Sequence, residues 1–337
     1  RAHLKHRQAT QEKQLKSRAW IARSTWLLCL LTAAQFAVAQ PYPDKPVKLI
    51  VPFPPGATMD SVVRLVGDKL SAEWGQPVVV ENRTGAAGLI GTAAAAKAPA
   101  DGYTILAIAN SFAANPTLRS SMPYDTAKDF APITLIGSTP LVLVAHPGLP
   151  ANSTAELVAL AKKEPGQIPY AAAPGASPHM AMAWFESASG TKLLFVPYRG
   201  QSQAQTDLLA GQVKLAFGNL PDILPYVKSG HLKALGIATA ARSPLAPEIP
   251  TLIEAGYQGP QWDSWYGFVA PAGTPPDILE KVAAAVHKVL SRPEVRSELL
   301  HRGLLPVGDT PAEFRTFLRN TAEDYARIIK QAGIHVD

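Results

Sequence analysis

Ser177 and His179 stand two residues apart in "YAAAPGASPHM" and come nearest, in this sequence, to a nucleophile with a base beside it. Acyl transfer needs the base within hydrogen-bond reach of the hydroxyl. Residues two apart on a helix point to different faces, and no Gly-x-Ser-x-Gly elbow occurs. A different chemistry suits these residues better. Ser177 followed by Pro178 reads as a helix N-cap with proline at the first helical position. A helix start presents free backbone N–H groups that can hold an anion, and both Ser177 and His179 are candidates to contact it.

The same construction recurs along the chain. "VPFPPGATMDSVVR" from Val51 reads as a buried strand, a corner at Gly56 and a helix whose first turn carries Thr58 and Asp60. The macrodipole places about half a positive charge at such a corner, so a carboxylate or phosphate can be held without Lys or Arg. Gly56, Ala57 and Thr58 are the candidate contacts and Phe53 a candidate wall. A tight strand-to-helix turn that binds nothing is the competing interpretation, and Asp60 reads as a first-turn charge or cap. In "VVVENRTGAAGLIGTAAAA" the corner brings Thr84, Ala86 and Ala87. Its glycines, Gly85, Gly88 and Gly91, are three apart and do not make the dinucleotide fingerprint Gly-x-Gly-x-x-Gly, nor does a Walker lysine follow. "IANSFAANP" contributes Asn110 and Ser111, and "VPYRGQSQAQ" contributes Tyr198, with Arg199 either a counter-charge or an exposed residue. Asn219 follows another strand. Asp263, in "WDSWYGF", lies either on a cleft wall or in a core strand. His146, His231, His287, His301 and His335 lack metal-binding spacing. No metal, cofactor or catalytic residue is expected.

What positions these corners is an alternation of apolar Val/Ile/Leu runs with helix-period segments. Strands are predicted at Val47 to Val51, Pro77 to Glu81, Thr104 to Ala109, Leu141 to Ala145, Leu194 to Val196, Val213 to Phe217, Ala234 to Ala238 and Tyr266 to Ala270, with a short one before Ser177. Helices are predicted to begin near Thr58, Ala87, Thr154, Pro178, Ser202 and Asp222. That pattern implies an α/β fold with parallel sheets covered by helices. "STAE" from Ser153 reads as a capping box. After Pro271 the pattern is helical only: Pro275 to Ser291, Pro293 to His301, and an amphipathic Pro311 to Gln331.

The chain has 337 residues and a formal charge of +6. Seven of its 32 basic and one of its 26 acidic residues fall in the first 39, so the remainder carries 25 of each. A neutral body gives no electrostatic footprint for nucleic acid. The basic start runs into "WLLCLLTAAQFAVAQ", with Ala37-Val38-Ala39 as a small-residue cleavage pattern. This layout predicts a signal peptide over 1–39 and export to the periplasm, because the apolar stretch is shorter than the roughly 20 residues of a spanning helix. Cys29, the single cysteine, lies inside it. The mature chain therefore has no disulfide, Cys-ligated metal or Cys nucleophile.

"YPDKPVKLIVPFPPGATMD", "VVVENRTGAAGLIG", "DGYTIL", "MPYDTAKDFAPI", "VPYRG", "DLLAGQV", "IPTLIEAG" and "APAGTP" follow one another from Tyr42 onward. Their order resembles that of the Bug receptors, the extracytoplasmic solute receptors of the tripartite tricarboxylate transporter family. The resemblance covers essentially the whole mature chain. It implies a type II-like, two-domain periplasmic binding protein: domain 1 over 40–140 plus 266–337, domain 2 over 141–265, two crossover segments, and a ligand closed in the cleft between them. It also implies a small anionic or zwitterionic solute held mostly by backbone groups and water, membrane transporter subunits or a sensor kinase as partners, and a monomer. This chain departs from the family pattern at Ala57 and Ala87, where glycine is usual, and at Ala172, where serine is common. The loop before His179 is one residue shorter than usual. Two other functions remain at this stage. They are a ligand-sensing accessory to a membrane sensor kinase and an exported hydrolase, the latter weakened by the absence of a serine elbow.

Overall fold

The computed structural model describes residues 42–334 apart from 57, 199, 260 and 261, with Ala87 described by its backbone alone. The signal-peptide expectation for 1–39, and Ala57 and Arg199, lie outside the described residues.

The architecture is α/β, and it is built twice on one plan. Strands β1 (Val47–Val51), β2 (Val78–Asn82) and β3 (Thr104–Ala109) are parallel in the order β2-β1-β3, and β9 (Asp263–Pro271) pairs antiparallel with β3. Strands β5 (Pro169–Ala172), β6 (Leu194–Pro197) and β7 (Leu215–Asn219) repeat that order as β6-β5-β7, and β4 (Phe130–Ala145) pairs antiparallel with β7. β8 (Lys233–Ile237) and the short β10 (Leu305–Pro306) both flank β4. Leu49, Val51 and Leu106 are fully buried, as parallel strands covered on both faces must be.

β4 joins the two halves. Its first part, Phe130 to Pro140, pairs with β9, and from Leu141 the partners become β7 and β8. The chain comes back beside this point: Leu141 N–H donates to the Trp262 carbonyl at 3.2 Å, Trp262 N–H to the Ala238 carbonyl at 2.8 Å and Ala238 N–H to the Leu141 carbonyl at 2.9 Å. Two crossings thus run side by side, stitched by main-chain bonds.

The helices are α1 (Thr58–Trp74), α2 (Leu89–Ala96), α3 (Asn110–Leu118), α4 (Thr154–Lys163), α5 (Ser177–Ser189), α6 (Gln201–Leu209), α7 (Leu220–Lys228), α8 (Pro276–Leu290), α9 (Pro293–His301) and α10 (Pro311–Ala332). α1 buries Met59, Val62, Val63, Val66 and Leu70, spaced to form one stripe. α10 packs on both α3 and α5 and so fastens the two halves on one side. Its start is a complete capping box in which Thr310 accepts from the Glu313 N–H and Glu313 from the Thr310 N–H.

Several local expectations are corrected. The capping box expected at Ser153 is only half formed: Ser153 Oγ accepts from the Glu156 N–H, but the Glu156 carboxylate accepts from Asn152 N–H instead. The N-cap of α5 is Ala176, which places Ser177 inside the first turn and Pro178 one position further in than expected. The helix expected at Ala87 opens with a 3-10 turn, Ala86–Gly88, in which Ala86 holds the left-handed φ of 47°. β4 starts eleven residues before the predicted Leu141. The last part of the chain, expected to be helical only, includes β10.

Candidate functional site

The parallel strands deliver their carboxyl ends to one place. β1 leads into α1, β3 into α3, β5 into α5, β6 into α6 and β7 into α7, and the first residues of all five helices, or the residue just before them, border a single cavity of about 460 Å³. Crevices outside the carboxyl ends of parallel strands are where open α/β sheets bind ligands. The wall consists of Phe53, Pro54, Thr58 and Met59 at α1, Ala109, Asn110 and Ser111 at α3, and Ala173, Ala176, Ser177 and Pro178 at α5. Gly200 and Gln201 at α6, Asn219 at α7, and Ser264 and Tyr266 on β9 complete it. Among the described lining residues none is Asp, Glu, Lys, Arg or His. The described lining residues offer a ligand's charge dipoles, the first-turn N–H groups and the positive ends of the helices.

The sequence candidates Phe53, Thr58, Asn110, Ser111, Ser177 and Asn219 meet on this cavity. Most of their side chains are already engaged. Asn110 is buried; its Nδ2 donates to the Asp263 carbonyl at 2.8 Å and to Tyr325 Oη at 2.6 Å, and its Oδ1 accepts the Trp265 N–H at 3.0 Å. It joins β3 to β9 and α10 at the cavity floor. Tyr325 lies parallel to Trp262, with ring centres 5.3 Å apart, and also interacts with the Ser177 hydroxyl. Burial pushes the Tyr325 hydroxyl's pKa up, so it stays a neutral donor and acceptor. Asn219 Oδ1 accepts from Ser264 Oγ at 2.8 Å, a bond that joins β7 to β9, and its Nδ2 donates to Asp222 at 3.0 Å. Tyr266 interacts with the Thr58 hydroxyl, and burial raises its phenol to about 12.

Other candidates sit elsewhere. The Gly56 N–H is already taken by Asp60 Oδ2 at 2.9 Å. Asp60 is buried, and its carboxylate also accepts from Arg64 Nε at 3.0 Å and Asn82 Nδ2 at 2.8 Å. Burial alone would raise its pKa, yet these bonds together hold it below the ordinary carboxylate value. Thr84 and Ala86 are exposed and do not border the cavity; the Phe53 ring packs toward Gly88 and lies between that loop and the cavity. Tyr198 Oη donates to Asp207 at 2.7 Å. Asp263, on the face of β9 opposite Ser264, interacts with Ser138, and burial raises its carboxyl. His179 faces a separate groove with Tyr170, Glu186 and Phe195. Its Nδ1 accepts the Gly175 N–H at 3.1 Å, its ring stacks on Phe195 at 4.1 Å, and burial depresses its pKa to about 4. It is therefore not poised as a base for Ser177. Among the described residues no group of three His, Cys, Asp or Glu could hold a metal, and no helix is long and apolar enough to cross a membrane.

Sequence reasoning missed Gln201, Ser264, Tyr266 and Met59. Gln201 carried a readable signal, since it opens a helix after a strand just as Ser177 does. Ser264 and Tyr266 alternate along β9, and only the pairing of that strand shows which face looks into the cavity.

The profile of the "Tripartite tricarboxylate transporter family receptor" matches residues 62–334. Protein BugT of Bordetella pertussis is 37% identical over 298 residues, 88% of this chain and 91% of that protein. The structure titled "R. palustris Rpa4515 with adipate" aligns with a TM-score of 0.77 at 33% identity, covering 87% of this chain and 99% of that one. MatC from Rhodopseudomonas palustris, with bound malate, aligns with a TM-score of 0.73 at 28% identity, covering 86% and 100%.

Proposed function

This chain belongs to the receptors of the tripartite tricarboxylate transporter family, and on that premise we propose that it captures one small carboxylate-bearing solute in the periplasm for transporter subunits in the membrane. The observation that carries this reading is the convergence of five helix starts on one cavity with no charged side chain among its described lining residues. Backbone N–H groups opening α3, α5 and α6 bond carboxylate oxygens, and Ser111 and Ser177 add hydroxyls. Phe53, Thr58 and Asn219 shape the remaining wall. Adipate and malate in two related structures are carboxylates of a size that such a cavity accommodates.

The two domains, 40–140 with 266–337 and 141–265, close over the ligand about the paired crossings at Leu141 and Trp262, and the membrane subunits recognise the closed form. No bond is made or broken. Support for this comes from His179, whose ring is committed to Gly175 and Phe195 and not to Ser177. Calorimetric titration of the mature protein with small carboxylates, paired with small-angle scattering, tests the reading. It predicts one ligand per chain and a smaller radius of gyration on saturation; a protein refolded free of copurified ligand that binds no carboxylate refutes it.

A further inference from the structure

A second space, of about 420 Å³, opens where the last turn of α10 meets β5, β6 and α5. It is bordered by Tyr170, His179, Glu186 and Phe195 and by the helix end at Ala332 and Gly333, and it shares no lining residue with the cavity at the strand ends. Its electrostatics are of the opposite sign. The cavity gathers helix starts, whereas here a helix ends, bringing about half a negative charge. The Ile329 and Lys330 carbonyls are taken by the N–H groups of Ile334 and Gly333, and those after them lack a helical partner.

Glu186 is the one charged side chain among the described residues that line this groove. Its Oε1 accepts the Leu193 N–H at 2.6 Å, and burial raises its carboxyl although the exposed Lys192 lies near enough to act against that. Tyr170 is only 3% exposed and feels the Glu186 charge, yet its hydroxyl has no hydrogen-bond partner among the described residues. A buried hydroxyl left unpaired costs free energy, so an occupant that meets it is favoured. The Tyr170 and Phe195 rings lie 5.3 Å apart between centres. His179, stacked on Phe195, stays neutral and adds no competing charge.

We infer that this groove is a second binding site, for a small organic cation: a primary ammonium held between the Glu186 carboxylate and the Tyr170 hydroxyl, its apolar body against Phe195. An ammonium has three donors and no acceptor, which suits a carboxylate, a phenol oxygen and free helix-end carbonyls. The faces of Tyr170 and Phe195 add cation–π attraction. An anion would meet Glu186 and the negative helix end, and an uncharged ligand would leave Glu186 without a counter-charge. The inference is independent of the receptor reading, because the two sites share no residue.

The test is titration of the mature protein with benzylamine, followed by calorimetry and by amide NMR shifts, with benzyl alcohol as the uncharged analogue. Benzylamine should bind with a dissociation constant on the order of 1 mM or tighter, about tenfold or more below that of the alcohol, with shifts concentrated at Leu193, Phe195 and Ile334. Glu186→Gln keeps an acceptor for the Leu193 N–H but removes the charge, and it should weaken benzylamine by about tenfold. Tyr170→Phe should weaken it by about fivefold and decides the matter if the first variant fails to fold, as judged by its unfolding midpoint. No binding at about 10 mM, equal binding of the alcohol, shifts centred on Ser111 and Ser177, or affinity unchanged by Glu186→Gln overturns the inference. So does binding seen only in a chain that stops at Ile334, because residues 335–337 would then be the groove's occupant.

Discussion

Tyr325 shows how a residue outside the cavity decides the cavity's shape. Its hydroxyl accepts the Asn110 amide and it stacks on Trp262, so one phenol ties α10 to the floor formed by β3 and β9. Tyr325→Phe removes that acceptor and leaves a buried amide hydrogen unpaired, which should cost about 1–3 kcal/mol in denaturant unfolding. Because Asn110 then keeps only its bonds to the Asp263 carbonyl and the Trp265 N–H, ligand affinity should fall as well. His179 makes a second prediction. Its folded pKa of about 4 lies below the unfolded 6.5, so as pH drops through that window the denatured chain takes up a proton that the native chain refuses. Stability is therefore lost on acidification between those values, by about 3 kcal/mol if the shift is fully expressed. Glu186, across the same groove, has a carboxyl raised by burial and offsets part of this in the acid range. Unfolding of His179→Phe followed from pH 7 to pH 4 should show a shallower decline than the parent. Neither role is legible from the sequence, where Tyr325 is one aromatic on an amphipathic helix and His179 resembles a ligand contact.

At the scale of elements, β9 and α10 illustrate a fit that tolerates little. Any side chain on Gly267 would collide with the Phe314 ring, which is fully buried against that strand. Gly267→Ala should destabilise by about 1–3 kcal/mol, the usual cost of overpacking, read as a shift in the denaturant midpoint at constant slope. Strands with continuous Val/Ile/Leu runs were legible because burial on both faces leaves a plain signature. α3 was not read as a helix. Its Phe112, Ala113, Ala114, Asn115 and Leu118 are all buried, which erases the amphipathic period, and Pro116 interrupts it. The first half of β4 was missed for a similar reason: "FAPITLIGSTP" holds two prolines and a glycine, and its partners β9 and β10 lie more than a hundred residues away.

For the whole molecule the main prediction concerns salt. The cavity offers dipoles and, among its described lining residues, no cation. A ligand anion enclosed there is screened far less than a pair of surface charges. Its dissociation constant should change by less than about threefold between 0.05 and 0.5 M salt at constant pH, measured by calorimetry. A steep dependence would point to a surface cation as the holding group. Saturating ligand should also stabilise the chain by mass action, by about 2.7 kcal/mol at 100 times the dissociation constant.

The sequence by itself determined the α/β class, the recurring strand–corner–helix unit and its capacity to hold an anion, because strand burial, glycine corners and helix starts follow from local chemistry. It also contained the family resemblance from Tyr42 over nearly all that follows. Only the tertiary structure decided which corners meet. Thr84 and Ala86 form as good a corner as Ser111 and Gln201, yet the Phe53 ring lies between them and the cavity. Whether a helix start faces a shared cavity depends on strand order and on the crossings at Leu141 and Trp262, which join residues more than a hundred positions apart, and no local pattern records that distance.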